Sequence, residues 1–165
     1  MTLRAAKVSL VLAVALFYTL VVFDNLTDYN ANYQFVRHVL MMDSTLPGNH
    51  GVWRALNNSG WHTTFYISII CWESLVTVLC WAGSWRMLRH FSGPGAIFER
   101  AKQVAVAALT LALLMWLVAF LAIGGEWFLM WQSRTWNGED VAFRMFTVIG
   151  IVLLLLVQPE AEVRR

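Results

Sequence analysis

The chain has 165 residues, of which 59% are apolar and 13% charged, with a net charge of +2. Soluble domains carry about 25% charged residues, so an ordinary soluble fold is excluded. Without a dense Lys/Arg run there is also no basis for a nucleic-acid partner. One domain is the natural expectation at this length, and residues 1–165 read as a single integral membrane domain.

A short basic start with Arg4 and Lys7 leads into Val8–Leu26, which is almost entirely apolar. The run is long and ends in Phe23-Asp24-Asn25 without a small-x-small cleavage site, so it is expected to be a retained span and not a signal peptide. Residues 27–60 form a polar loop in which Tyr29, Tyr33, Val36 and Leu40 recur at helical spacing. That stripe predicts a short amphipathic helix lying on the membrane surface. A second span is expected at about 61–85. Ser92-Gly93-Pro94-Gly95 then breaks the helix, and a short segment over 96–103 restarts it. A third span is expected at about 104–131, a polar loop at 132–140, a fourth span at about 141–157, and a polar tail beyond. The fold class predicted is all-α: a four-helix transmembrane bundle with a surface helix in the first outer loop.

An even number of spans puts both termini on one side. Eight of the twelve basic residues (Arg4, Lys7, Arg86, Arg89, Arg100, Lys102, Arg164 and Arg165) lie on that side, so the positive-inside rule makes both termini cytoplasmic. Trp53, Trp61, Trp127, Trp131 and Trp136 then gather near the outer interface, and Trp81 and Trp85 near the inner one, as in an aromatic belt.

The second span carries one acid, Glu73, near its centre. An acid at mid-bilayer costs about 2.5–3.5 kcal/mol on insertion scales for the related Asp, so it needs a partner, a hydrated cavity or a proton. At 1.5 Å of rise per residue, Glu73 stands about 18 Å above Trp85 and Arg144 about 20 Å above Val157. Similar depth predicts an ion pair between them, within a wider polar cluster of Asp24, Asn25, Glu126 and His62 in the outer half of the membrane. The cluster either fixes helix register or forms a hydrated site for a proton, a cation or a polar ligand.

Cys71 and Cys80, nine residues apart on one helix, are half a turn out of phase and cannot bridge each other. No phosphate loop, nucleophile elbow or HExxH motif occurs in the sequence. The histidines His38, His50, His62 and His90 lack metal-ligand spacing on one helix. No catalytic residue, cofactor or metal site is therefore predicted.

The ordered set of segments resembles a bacterial family of predicted small integral membrane proteins catalogued as a domain of unknown function. The resemblance rests on Asp24-Asn25-Leu26-Thr27-Asp28-Tyr29 with Asn32-Tyr33-Gln34-Phe35-Val36, on Trp72-Glu73, on Gly124-Gly125-Glu126-Trp127-Phe128 through Met130-Trp131-Gln132-Ser133, and on Trp136-Asn137-Gly138 with Arg144. It covers nearly the whole chain. It implies a four-helix protein of a bacterial inner membrane and brings no established activity.

The leading functional expectation is a non-enzymatic accessory or structural subunit in the lipid bilayer. Its partner would be a larger membrane protein, or a second copy, met through an aromatic face of Trp127, Phe128, Trp131 and Trp136. The alternative is a channel, transporter component or ligand sensor that uses Glu73, Arg144, Asp24 and Glu126. A lesser alternative is an enzyme acting on a lipid or quinone, with Glu126 or His62 as acid or base.

Overall fold

In a computed structural model that describes residues 2–160, the chain is helical, with no strand among those residues. The helices are α1 (Thr2–Thr27), α2 (Tyr29–Met41), α3 (Ser59–Arg89), α4 (Gly95–Trp127) and α5 (Glu139–Val157). All but α2 are long and apolar enough to cross a membrane. In hydrocarbon every backbone N–H and C=O must find a partner within its own segment, and a continuous helix does this.

The helices overrun the expected spans. Asn58 caps α3 by accepting a hydrogen bond from the Gly60 amide at 2.7 Å. Pro94 opens α4, whose missing N–H costs nothing at a helix start. The restart expected at 96–103 is thus continuous with the third span, which ends at Trp127 and not at Trp131. Leu129 stops it in the left-handed region, at φ 54°.

Helices gain no hydrophobic drive against one another in lipid, so close packing of small residues has to hold them together. α4 supplies Ala101, Ala105, Ala108 and Ala112, spaced four, three and four residues apart and all buried. Gly83 of α3 meets this stripe so closely that an added Cβ would lie 2.7 Å from the Ala105 amide nitrogen. Val8, Val11, Ala15 and Tyr18 of α1 and Ile149, Val152 and Leu156 of α5 complete one core.

From Met115 to Trp127, α4 is wound as a π-helix; the Phe128 amide, for example, bonds to the Ile123 carbonyl five residues back, at 2.9 Å. Such winding is rare and is frequent at functional sites. Just before it begins, the Trp72 indole donates to the Leu111 carbonyl at 3.1 Å. A side chain that takes a ladder carbonyl is a local reason for the register to slip.

α2 differs from expectation in what it covers. Its stripe (Val36, Val39 and Leu40) is buried against Tyr66, Ile70, Phe128 and Met130 in a second core, so its apolar side covers the end of the bundle. Protein side chains compete successfully for a face that the sequence alone cannot assign to lipid or protein. We call this end of the bundle the loop end.

At the opposite, terminal end, Lys7 and Lys102 are each 1% exposed. Both ammonium groups donate to the Gln158 carbonyl, at 2.6 and 3.0 Å. Glu160 accepts from Lys7 at 2.8 Å and from Arg4 at 2.9 Å, and Arg4 also donates to the carbonyls of Phe91 and Gly93. This clamp ties α1, α4, the α3–α4 turn and the segment after α5 together. Arg164 and Arg165, counted above toward the positive charge of this side, lie outside the described residues.

Candidate functional site

Two residues of the expected cluster meet. Asn25, in the last turn of α1, donates from Nδ2 to Oε2 of Glu73 at 2.6 Å. Its orientation is fixed from the other side: Oδ1 accepts from Asn32 Nδ2 of α2 at 2.7 Å and from the Tyr66 hydroxyl at 3.1 Å. Tyr66 lies seven residues before Glu73, two helical turns, so both project from one face of α3. Tyr66 is in turn packed by Tyr29 and Tyr33 of α2, with ring centroids 4.7 and 6.1 Å away. In the sequence Asn32 stands out only within the family resemblance and Tyr66 not at all, although the seven-residue spacing is there to be read.

The remaining members lie elsewhere. Arg144 is exposed on α5 and makes no ion pair with Glu73, whose side chain is buried on α3. Equal height in the bilayer brought the two together in expectation, but height does not fix which way a side chain points. Asp24 is exposed, one residue and about 100° round the helix from Asn25. Glu126 is exposed beside Glu139 and Asp140, along a separate cleft. His62 is buried, but its Nε2 donates to the Leu56 carbonyl at 2.7 Å and so pins the loop that leads into α3.

The expected aromatic face is divided. Trp127 and Trp131 are exposed, but Phe128 is 3% exposed and belongs to the second core. Trp136 stacks on His38, with centroids 4.6 Å apart, and His38 bonds Asp43 at 2.6 Å. Two of the four residues are therefore occupied within the chain.

Glu73, Asn25, Asn32 and Tyr66 line a cavity of about 470 Å³. Trp116 forms part of its wall and is held by its indole N–H, which donates to Tyr18 at 2.8 Å. At the loop end its lining residues Ala31, Thr135, Asn137 and Val141 are exposed. Among the described residues its lining contains no Lys, Arg, His or Cys, and Glu73 is its only carboxylate. Oε1 of Glu73 receives no hydrogen bond among the described residues, whereas Oε2 has Asn25.

A second cavity of about 360 Å³ lies alongside, between α2, α3 and the π-wound part of α4. The two share Phe35, Val36, Ile69 and Phe120 as a common wall. The second is apolar. Its two hydroxyls, Thr64 and Ser68, bond back to the α3 carbonyls of Gly60 and Thr64, at 2.9 and 2.8 Å.

This arrangement can hold a donor or a cation at Glu73. It sets no nucleophile beside a base, and no group of three or more His, Cys, Asp and Glu among the described residues is placed to hold a metal.

The family profile described as "Predicted small integral membrane protein (DUF2165)" matches residues 3–159. No match is found among curated proteins or among solved structures. With nearly its whole length matched, the chain belongs to the DUF2165 family of predicted small integral membrane proteins.

Proposed function

We propose that this small integral membrane protein is a ligand-binding sensor or transporter component whose ligand is recognised at Glu73. The observation that carries the reading is the open Oε1 of a buried carboxylate in a cavity without a basic side chain. A buried carboxylate is costly unless paired, and a ligand that brings an ammonium or N–H donor supplies what Asn25 alone does not. The Glu73–Asn25–Asn32 chain gives the site a route to α2, since a ligand that competes for Asn25 loosens a tie to that helix. The distribution of basic residues supports cytoplasmic termini, with the cavity opening outside. A bacterial inner membrane follows as an expectation from the resemblance described above.

One observation favours the accessory-subunit reading. Trp53, 77% exposed, and Trp127 lie edge to face at 6.0 Å with the Arg54 guanidinium over both rings. Aromatic and Arg side chains of this kind anchor protein interfaces. Purification in gentle detergent followed by native mass spectrometry separates the two readings. A small bound mass that is lost in Glu73→Gln supports ligand binding. A stoichiometric membrane protein that is retained in Glu73→Gln and lost in Trp53→Ala supports the accessory role and sinks the first reading.

A further inference from the structure

We infer that the ligand of the Glu73 cavity is a single-chain amphiphile with an ammonium head, whose chain occupies the neighbouring apolar cavity and enters sideways from the lipid. This rests on the binding reading above and adds the ligand's class.

Three observations lead to it. First, the cavities have opposite character and share a wall. The Glu73 cavity has one acid and no base, while the other presents Val39, Leu40, Phe65, Ile123 and Phe128 with no free polar group. A ligand polar throughout would leave the second cavity unused, and a ligand apolar throughout would leave Glu73 unpaired. An amphiphile satisfies both.

Second, the mouths differ. The polar cavity opens at the loop end, but the apolar one is bordered by exposed Thr64, Ser68 and Ile123, all within the spans. These residues lie on the flank of the helices and not at their ends, so a mouth there lets a chain enter sideways from the lipid. From Thr64 to Trp72 the lining runs about 12 Å along α3, which suits an alkyl chain better than a methyl group.

Third, the two spaces are neighbours. Phe35, Val36, Ile69 and Phe120 form the common wall, and Phe120 comes from the π-wound part of α4. The inferred ligand would place its head and its chain on the two sides of that wall, with these side chains giving way to it.

The charge of the head follows from Glu73. An anionic head would meet a buried carboxylate with no cation in the lining to offset it. A neutral alcohol could donate to Oε1 but would leave an ionised Glu73 uncompensated, so an ammonium is the head that suits the ionised form.

The test is calorimetric titration of the full chain in nanodiscs, with empty-nanodisc heats subtracted. The probes are methylammonium, dodecylammonium and dodecyl sulfate. The variants are Glu73→Gln for the head site and Ser68→Phe for the mouth of the apolar cavity. Thr64→Phe serves as a second mouth variant, and monodispersity and helicity are checked for each. Losing the burial of two methylenes already amounts to roughly a tenfold change in affinity. The expected result is that dodecylammonium weakens by about tenfold or more in Ser68→Phe and Thr64→Phe, whereas methylammonium is unchanged in both. Glu73→Gln weakens both ammonium probes, and dodecyl sulfate binds less tightly than dodecylammonium.

Unchanged dodecylammonium affinity in both folded mouth variants would overturn the amphiphile while leaving ammonium binding at Glu73 intact. Dodecyl sulfate binding as tightly as dodecylammonium would overturn the head class. Indifference of both ammonium probes to Glu73→Gln would overturn this inference together with the reading it rests on.

Discussion

Asn25 points its amide nitrogen at Glu73 because its amide oxygen is already claimed: Asn32 and Tyr66 both donate to Oδ1, which leaves Nδ2 for the carboxylate 2.6 Å away. One side chain on α1 thereby joins α2 and α3 through a buried polar chain. Its removal should be felt at all three partners. A hydrogen bond to a charged group is worth about 1.5–3 kcal/mol, so Asn25→Ala is expected to destabilise the folded chain by about that amount. The same substitution in a Glu73→Gln background should cost less, because part of the penalty is the stranded carboxylate. Denaturant titration in mild detergent of both single variants and the double variant measures the difference. Strict additivity would show that Asn25 and Glu73 do not act together.

Arg144 should be dispensable for the fold. It is exposed and does not meet Glu73, and an Arg near a helix end can snorkel to the interface, so its removal strands no buried partner. Arg144→Ala is therefore expected to leave the unfolding midpoint in place. A loss of about 3–5 kcal/mol, the signature of a broken buried ion pair, would restore the pairing that depth alone suggested.

The α3–α4 contact should be intolerant of size at one position. A Cβ on Gly83 would lie 2.7 Å from the Ala105 amide nitrogen and 2.8 Å from its Cα and Cβ. These are backbone and first-carbon atoms that cannot swing aside. Gly83→Leu is expected to separate the helices and cost about 1–3 kcal/mol, the usual range for overpacking. Wild-type stability in this variant would contradict so close an approach.

The terminal clamp gives a pH dependence with a defined sign. Burial raises the Glu160 carboxyl pKa, but the hydrogen bonds and charges of Lys7 and Arg4 outweigh burial and hold it below its ordinary value of 4.5. A depressed carboxylate pKa contributes stability that is fully present above the ordinary value and is lost as pH falls through the depressed one. The thermal midpoint of the wild type should therefore fall below about pH 4.5 more steeply than that of Glu160→Gln. Parallel curves for the two would show that the clamp adds no proton-linked stability.

The spans were legible because apolar runs of this length have few other uses, and the helix of the first loop because its stripe recurs at helical spacing. The destination of that stripe was not legible, since Val36 and Leu40 would suit lipid as well as they suit Tyr66 and Ile70. Glu73 stood out as one acid in an apolar run, and Asn25 was rightly placed near it. The error over Arg144 shows the limit of depth arithmetic: rise per residue fixes height, while rotation and packing decide what a side chain meets. Lys7 and Lys102 were read only as positive charge at an interface. Their burial depends on Gln158 and Glu160 folding back from the far end of the chain, a contact more than 150 residues apart in the case of Lys7 that no local pattern encodes. The π-winding of α4 was likewise invisible, because no residue pattern within 115–127 encodes it.

Whether Glu73 receives a ligand's donor is read directly by infrared difference spectroscopy of its carboxyl in nanodiscs. Adding methylammonium to the wild type should shift a carboxyl or carboxylate stretching band, and the shift should vanish in Glu73→Gln while the helical amide bands stay the same. An identical difference spectrum in Glu73→Gln, or a saturating signal with no carboxyl component, would show that no ligand donor reaches Glu73.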